Sequence, residues 1–125
     1  RERYRPFCPS ILAEKAGGWC DASVNVGANK YMLTTSMVHP EKRDLISAVV
    51  HEDGTVRAQL VSRADNPLYY QLISDFEVIS GVPLLLNTSF NDSEPIVCSP
   101  QDAIKTFMKT GIDHLALGSY LVSKP

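Results

Sequence analysis

The sequence predicts an α/β or α+β domain built on one mixed β-sheet with flanking helices. Strand-like and helical segments alternate after residue 60, and each helical segment begins at a capping residue and ends at a glycine. An apolar run at residues 84–86 has the character of a core strand. With 125 residues, the chain has the length of about one domain.

The first half of the chain is predicted to be mostly extended or irregular. Prolines disfavour a helix in the opening ten residues. Glycines and Asn, Asp and Ser residues predict a loop at 14–30, whereas β-forming side chains predict a strand at 31–38. Residues 48–61 are predicted to form a β-hairpin, because an Asp-Gly turn signal at 53–54 lies between β-rich flanks.

A helix is predicted at residues 66–81, with Asn66 as its N-cap, Pro67 in its first turn and Gly81 at its end. Its apolar stripe would consist of Leu68, Leu72, Ile73, Phe76 and Ile79. Residues 82–87 are predicted to follow as an interior strand of the sheet.

A second helix is predicted at residues 99–111. Ser99 is suited to its N-cap, Pro100 to its first position and Gly111 to its end. The last segment, residues 114–124, is predicted to form one or two short closing strands with Gly118 between them.

Composition and charge argue against several classes of protein. A net charge of −2 and a pI near 5.9 give no indication of nucleic-acid binding. No apolar run approaches the ~20 residues that span a bilayer, and no signal peptide is visible, so we expect a cytoplasmic protein without a membrane partner. The three cysteines form no C-x-x-C pair and the three histidines have no ligand-like spacing, so no metal site is expected in this chain.

The opening motif RERYRPF concentrates positive charge. Arg1, Arg3 and Arg5 alternate, so in an extended segment they would share one face. Guanidinium groups placed together suit a phosphate or carboxylate, which they bind with two parallel hydrogen bonds. The alternative is a solvated segment whose arginine stems lie on the domain.

A second motif is HEDGTVRAQ, at residues 51–59. A hairpin there would hold His51, Thr55, Arg57 and Gln59 on a rigid support, with Arg57 and Gln59 on one face. The alternative is a plain turn with a histidine beside it.

A third motif, NTSFN at residues 87–91, directly follows the apolar run. Amide and hydroxyl groups at the end of a strand can hydrogen-bond a small polar substrate without adding charge. The alternative is a turn in which Asn and Ser side chains satisfy their own backbone.

The sequence resembles the C-terminal domain of the O-carbamoyltransferases, the group that includes nodulation and antibiotic carbamoyltransferases. Four segments carry the resemblance in the family's order: RERYRPFCPSIL, HEDGTVRAQLV, GVPLLLNTSFNDSEPIVCSPQDAIKTF and GIDHLALGSYLVSK. The resemblance extends over nearly the whole chain. It implies a single YrdC-like domain, a twisted mixed sheet with helices around it, covering residues 1–125.

In that family, this domain is implied to take carbamoyl phosphate and ATP, with Mg²⁺, to carbamoyl-adenylate. A preceding domain of actin-like ATPase fold, which carries its own metal, then transfers the carbamoyl group to an acceptor hydroxyl. The expected partners are therefore carbamoyl phosphate, ATP and that N-terminal domain. A glycine-rich G-P-R-A-L-G-type segment and a lysine upstream of the first motif do not occur here, so we expect a fragment that is inactive alone.

The resemblance also implies roles for individual residues. Arg57 and His51 are the expected catalytic residues, Arg57 binding phosphate and His51 orienting or neutralising it. Arg5 and Arg1 are expected to bind phosphate as well, Arg1 with the weaker claim. The carbamoyl or nucleotide groups would be held by Asn87, Ser89 and Asn91.

Two other functions remain open at this stage. A YrdC-like surface can bind a nucleotide or RNA without catalysis, although the acidic pI argues against RNA. Alternatively, the Tyr-Tyr-Gln segment and the leucine-rich segments can form an interface, which would make the chain a scaffold or a homodimer.

Overall fold

The computed structural model describes residues 6–22 and 26–124. The chain divides into two compact units, Arg1–Thr88 and Ser89–Pro125. The α-helices are α1 (Val26–Asn29), α2 (Pro67–Ser80) and α3 (Pro100–Lys109), and short 3-10 helices lie at Ala16–Gly18, Pro40–Lys42 and Asp44–Val49. The strands are β1 (Cys8–Leu12), β2 (Ser36–Met37), β3 (Thr55–Val56), β4 (Gln59–Val61), β5 (Leu84–Asn87), β6 (His114–Leu117) and β7 (Tyr120–Ser123).

The main sheet of the first unit has the order β4-β1-β5. Strand β1 runs parallel to β4 and antiparallel to β5, so this sheet is mixed and the predicted α/β class is confirmed. The prediction of one sheet is wrong, because β2-β3 and β6-β7 form two further sheets in the described residues. All five residues of β1 are buried. Pro9 lacks an N–H donor, but the parallel pairing with β4 begins only at Ser10, so that ladder loses no donor.

The prediction that residues 82–87 form an interior strand is wrong. Strand β5 pairs with β1 on one side, and no strand of the described residues pairs with its other side. The leucine run is misleading because only Leu84 is fully buried, whereas Leu86, two residues further along the same face, is 53% exposed. The interior strand is β1, in the proline-containing opening segment.

The predicted hairpin at 48–61 is also wrong, although its turn is confirmed. Gly54 has a φ of +80°, and the His51 backbone N–H donates to the Thr55 carbonyl at 2.8 Å. The flank before the turn is the 3-10 helix at Asp44–Val49, and β3 pairs with β2 instead. This 3-10 segment is interrupted at Ile46, which has a non-helical φ of −129° and ψ of 30°, and it buries Ile46 and Val49 in the core, so the flank does not form a strand.

Helix α2 has the predicted ends but not the predicted buried face. The Asn66 side chain accepts from the Tyr69 backbone N–H, and Gly81 caps the other end with a left-handed φ of +75°. Of the predicted stripe only Ile73 is buried, and Leu68 and Ile79 are each 85% exposed. The helix is turned so that Tyr69, Tyr70 and Ile73 face the sheet.

The remaining predictions for the first unit hold in part. The predicted strand at 31–38 forms only at β2, because α1 and the turns after it occupy the preceding residues, with Met32 at a φ of +56°.

The core of this unit lies on both sheet faces. One face, with Ile11, Leu60 and Leu84, packs on Trp19, Cys20, Val38, Val49 and Val56.

The second unit consists of α3 and the antiparallel pair of β6 and β7. Ser99 caps α3 as predicted, and the helix ends at Lys109, two residues before Gly111. The unit's core is Ala103, Phe107 and Leu115. Among the described residues, no helix in either unit is long and apolar enough to cross a bilayer.

Candidate functional site

One face of the main sheet changes from apolar to polar along β1. Cys8, Ser10 and Leu12 alternate with buried residues of the other face, so their side chains point to the same side. At the Leu12 end this side packs against Val61 and Ile73, under helix α2. The other end is polar, and the apolar cluster beneath α2 does not include it.

We call Cys8, Ser10, Arg57, Gln59 and Asn87 the polar sheet cluster. The strand register brings its members together: Ser10 lies opposite Gln59 on β4, and Cys8 lies opposite Asn87 on β5. Arg57 precedes β4 by two residues, so it projects towards the same side as Gln59, as the alternation in the sequence predicts. Two of the predicted site residues, Arg57 and Asn87, are thus brought to one sheet face.

Among the described residues, Arg57 is held by a sulfur atom rather than by a carboxylate. Its Nε and Nη2 atoms donate to the Cys8 Sγ at 3.2 and 3.0 Å. These are two of the five N–H donors of a guanidinium. The other donors have no acceptor among the described residues, and the side chain is exposed. Because a thiol is a weak acceptor, this contact orients the cation and leaves its charge available to an anion.

Asn87 belongs to a chain of neutral hydrogen bonds. Gln59 Oε1 accepts from the Ser10 hydroxyl at 2.7 Å and from Asn87 Nδ2 at 2.8 Å. Asn87 Nδ2 also faces the Met32 Sδ at 3.8 Å. Ser10 is fully buried, whereas Gln59 and Asn87 are half-buried and so accessible from one side.

Sequence reasoning missed Cys8 and Ser10 as members of this site, and it placed Gln59 on the face of Arg57 without giving it a role. Gln59 had a usable signal, since it shares the face of Arg57 by simple alternation. Cys8 and Ser10 had none, because their contribution depends on the pairing of β1 between two strands that are distant in sequence.

His51 lies in the 51–55 turn, and no hydrogen bond among the described residues joins it to the polar sheet cluster. Its Nδ1 is 3.0 Å from the Thr55 Oγ1, which donates to Asp53 Oδ1 at 2.7 Å. The pKa of Asp53 is lowered, first by this side-chain hydrogen bond and then by the Thr55 backbone N–H. These contacts are those of a self-satisfied Asx turn. The catalytic role of His51 stays a prediction.

Ser89 and Asn91 belong to the second unit, so each is described within that unit. Asn91 Nδ2 donates to the Glu94 backbone oxygen at 2.8 Å, which braces the loop before α3. Glu94 Oε1 accepts from the Thr106 hydroxyl at 2.5 Å, and this bond lowers the pKa of Glu94. Ser89 is exposed. Their roles in substrate binding stay predictions.

Arg1 and Arg5 lie outside the described residues. Because each belongs to a motif of the family resemblance, we expect Arg5, His51, Arg57 and Asn91 to line a common concave surface, and with Arg5 outside the described residues this stays a prediction. In the part of the chain that the structure describes, no group of three or more His, Cys, Asp or Glu residues is arranged to hold a metal ion. Cys8, Cys20 and Cys98 are free thiols.

Several known proteins are similar to this chain over most or nearly all of its length. Residues 1–124 match the family described as Carbamoyltransferase C-terminus. Nodulation protein NolNO of Sinorhizobium fredii is 46% identical over 125 residues, which cover 99% of this chain and 18% of that protein. Nodulation protein NolO of Bradyrhizobium diazoefficiens is 43% identical over 99% of this chain and 23% of its own length.

A further nodulation protein matches a shorter part of the chain. Nodulation protein U of Rhizobium tropici is 38% identical over 91 residues, which cover 73% of this chain and 15% of that protein. The chain therefore spans about a fifth of the length of the relatives it matches. By its sequence over residues 1–124, the chain belongs to the carbamoyltransferase C-terminal family.

Proposed function

We propose that this chain is the part of a carbamoyltransferase that binds carbamoyl phosphate and ATP and forms carbamoyl-adenylate. Another domain of the same polypeptide then passes the carbamoyl group to an acceptor hydroxyl. Family membership supports the reaction class. The observation that carries the site assignment is the meeting of Arg57 and Asn87 on the polar sheet cluster.

The cluster offers the groups that carbamoyl phosphate requires. The phosphoryl end is a dianion. The guanidinium donors of Arg57 that have no acceptor among the described residues can bind it with two parallel hydrogen bonds. The carbamoyl end is a neutral amide, for which the Asn87 side chain is a suitable partner. A cation and neutral amides on one rigid sheet face therefore match the two ends of the substrate.

The overall step consumes one water and balances as carbamoyl phosphate, ATP and water giving carbamoyl-adenylate, phosphate and pyrophosphate. Water takes up the phosphoryl group, the released carbamate oxygen bonds to the α-phosphorus of ATP, and the bond from that phosphorus to pyrophosphate breaks. Negative charge moves between phosphate oxygens throughout, so fixed cations such as Arg57 stabilise the transition state. Any Mg²⁺ would be bound chiefly by the ATP phosphates, as Mg²⁺ commonly is.

The other predicted residues take supporting roles in this proposal. Arg5 and Arg1 add positive charge for phosphate groups. His51 orients a phosphate from its turn, and Ser89 and Asn91 hold carbamoyl or nucleotide groups. Reduced free thiols and the use of ATP fit a cytoplasmic enzyme.

The test uses the full-length protein that contains this chain. Carbamoyl phosphate and ATP should give phosphate, pyrophosphate and a carbamoyl-adenylate that mass spectrometry detects. Omission of carbamoyl phosphate should abolish pyrophosphate release. ATP binding without any carbamoyl phosphate-dependent release would overturn the proposal and favour a nucleotide-binding module.

A further inference from the structure

The Gln59 and Asn87 side chains are joined amide to amide. Each uses one atom on the other: Gln59 Oε1 accepts and Asn87 Nδ2 donates, at 2.8 Å. The Gln59 Nε2 donor and the Asn87 Oδ1 acceptor then have no hydrogen-bond partner among the described residues. Both side chains are half-buried, so these two atoms are the polar groups that the pair offers to a ligand.

The neighbours of the pair fix its orientation. The Met32 sulfur can only accept, so the Asn87 atom facing it is the donor Nδ2. The buried Ser10 hydroxyl donates to the Gln59 oxygen at 2.7 Å, which holds Gln59 Nε2 away from β1. Even with both amides turned over, the pair would still present one donor and one acceptor, because each amide spends one atom on the other.

We propose that Gln59 and Asn87 form a clamp that recognises the carbamoyl group as a primary amide. Gln59 Nε2 donates to the carbamoyl oxygen, and Asn87 Oδ1 accepts from the carbamoyl NH₂. Gln59 is thereby a specificity-determining residue. This inference rests on the proposed function, and it adds the two side-chain atoms that recognise the carbamoyl amide of the substrate.

The strand register places the clamp beside the phosphate-binding group. Asn87 lies directly opposite Cys8, and Cys8 Sγ holds the Arg57 guanidinium. Directly opposed residues on paired strands have Cβ atoms about 5 Å apart. Carbamoyl phosphate is a small molecule, so its phosphoryl group can contact Arg57 while its amide contacts the clamp.

A clamp of this kind discriminates against an analogue because the analogue leaves one of the clamp's polar atoms without a hydrogen-bond partner. Acetyl phosphate keeps the carbonyl oxygen but replaces NH₂ with CH₃, so Asn87 Oδ1 would lose its donor. Inorganic phosphate has no acyl group and uses only the cationic part of the site. Sites built around hydrogen bonds reject analogues that lack the matching group more strongly than apolar pockets do.

The experiment follows pyrophosphate release by the full-length enzyme. It measures three constants: the KM of carbamoyl phosphate and the Ki values of acetyl phosphate and phosphate. Gln59→Met, of similar shape, removes the donor to the carbonyl. It should raise the carbamoyl phosphate KM and the acetyl phosphate Ki about 10- to 100-fold and leave the phosphate Ki unchanged. Gln71→Met, on the exposed face of α2, is the matched control and should change none of them.

A second variant tests the other atom of the clamp. Asn87→Leu removes the acceptor for NH₂, so it should raise the carbamoyl phosphate KM by a similar factor and leave the acetyl phosphate Ki nearly unchanged. If Gln59→Met melts far below the wild type, Gln59→Glu replaces it, because Glu keeps the oxygen that Ser10 and Asn87 donate to. The quantity compared is then the ratio of the acetyl phosphate Ki to the phosphate Ki, which should still rise.

The outcomes separate the clamp from the proposed function. A wild-type enzyme without carbamoyl phosphate-dependent pyrophosphate release would contradict the proposed function, and the clamp with it. An active wild type together with folded Gln59 and Asn87 variants that keep all three constants within about 3-fold would overturn the clamp alone. The Gln59–Asn87 hydrogen bond would then serve only to join β4 and β5 across the buried Ser10.

Discussion

At the scale of single residues, the site depends on how Cys8 and Gln59 hold the groups next to them. Arg57 would otherwise be a long, exposed side chain with many rotamers. Two hydrogen bonds to one sulfur atom orient the guanidinium, and no carboxylate of the described residues pairs with it. Ordering the side chain in advance lowers the entropic cost of binding an anion.

Cys8 is therefore expected to act as a positioning residue. Cys8→Ser keeps an acceptor near the guanidinium and should retain activity within a few-fold. Cys8→Ala removes it and should lower kcat/KM for carbamoyl phosphate about 10-fold, since the rotamer freedom of Arg57 is restored. Pyrophosphate release by the full-length enzyme gives both values. Cys98→Ala, at an exposed thiol, is the control, and equal losses in Cys8→Ser and Cys8→Ala would contradict the positioning role.

At the scale of secondary-structure elements, local signals proved more dependable than patterns of burial. Asn66, Gly81, Ser99 and Gly54 all have their predicted local roles, because caps and turns are decided by neighbouring backbone groups. The predictions drawn from the leucine run at 84–86 and from the apolar stripe of α2 were wrong, because the burial of a side chain depends on which other elements cover it. The predicted hairpin is wrong because the segment before its turn is a 3-10 helix, and β3 pairs with β2 instead.

The orientation of α2 can be tested with two isoleucines. Ile73 is fully buried against Leu12 and Val61, so Ile73→Ala should lower the free energy of unfolding by about 2–4 kcal/mol. Ile79 is 85% exposed, and Ile79→Ala should change it by less than about 0.5 kcal/mol. Urea unfolding of the 125-residue chain measures both, and a larger loss at Ile79 would contradict the described face.

The start of α3 predicts a dependence on pH. Ser99 Oγ accepts from the Asp102 backbone N–H and donates to the Asp102 carboxylate at 2.7 Å, and this side-chain bond is the first cause of the lowered Asp102 pKa. A lowered carboxyl pKa contributes stability that is fully present above the ordinary aspartate pKa and is lost as the pH falls through the folded pKa. The helix start is therefore stabilised at neutral pH and weakened in acid.

Ser99→Ala should raise the Asp102 pKa towards its ordinary value. Separately, loss of the N-cap hydroxyl should destabilise the start of α3 by about 1 kcal/mol. An NMR titration of the Asp102 carboxyl measures the first effect, and faster amide exchange in the first turn of α3 the second. Ser93→Ala, in the loop before the helix, is the control. An unchanged Asp102 pKa in Ser99→Ala would show that the hydroxyl is not the cause.

At the scale of the whole molecule, family membership and the mixed class follow from the sequence, whereas the site required the pairing of strands. Arg57 and Asn87 were predicted from two separate motifs, and nothing in either motif shows that β1 lies between their strands. Sequence motifs mark residues, but only the register shows that Cys8 and Ser10 connect them. His51 is the opposite case, because its described hydrogen-bond contact is made within the turn that contains Asp53 and Thr55 and involves no distant strand.

The central claim is that Arg57 in the polar sheet cluster binds the phosphoryl group during carbamoyl-adenylate formation. The most direct measurement is carbamoyl phosphate-dependent pyrophosphate release by the full-length enzyme, with thermal melting alongside. Arg57→Ala should lower the rate ~10²–10³-fold without changing the melting temperature, since the side chain is exposed. Arg57→Lys should restore little, because an ammonium lacks the fork geometry, and Arg63→Ala should keep the wild-type rate. A wild-type rate in Arg57→Ala would contradict the claim, and a collapsed melting temperature would show that Arg57 supports the fold instead.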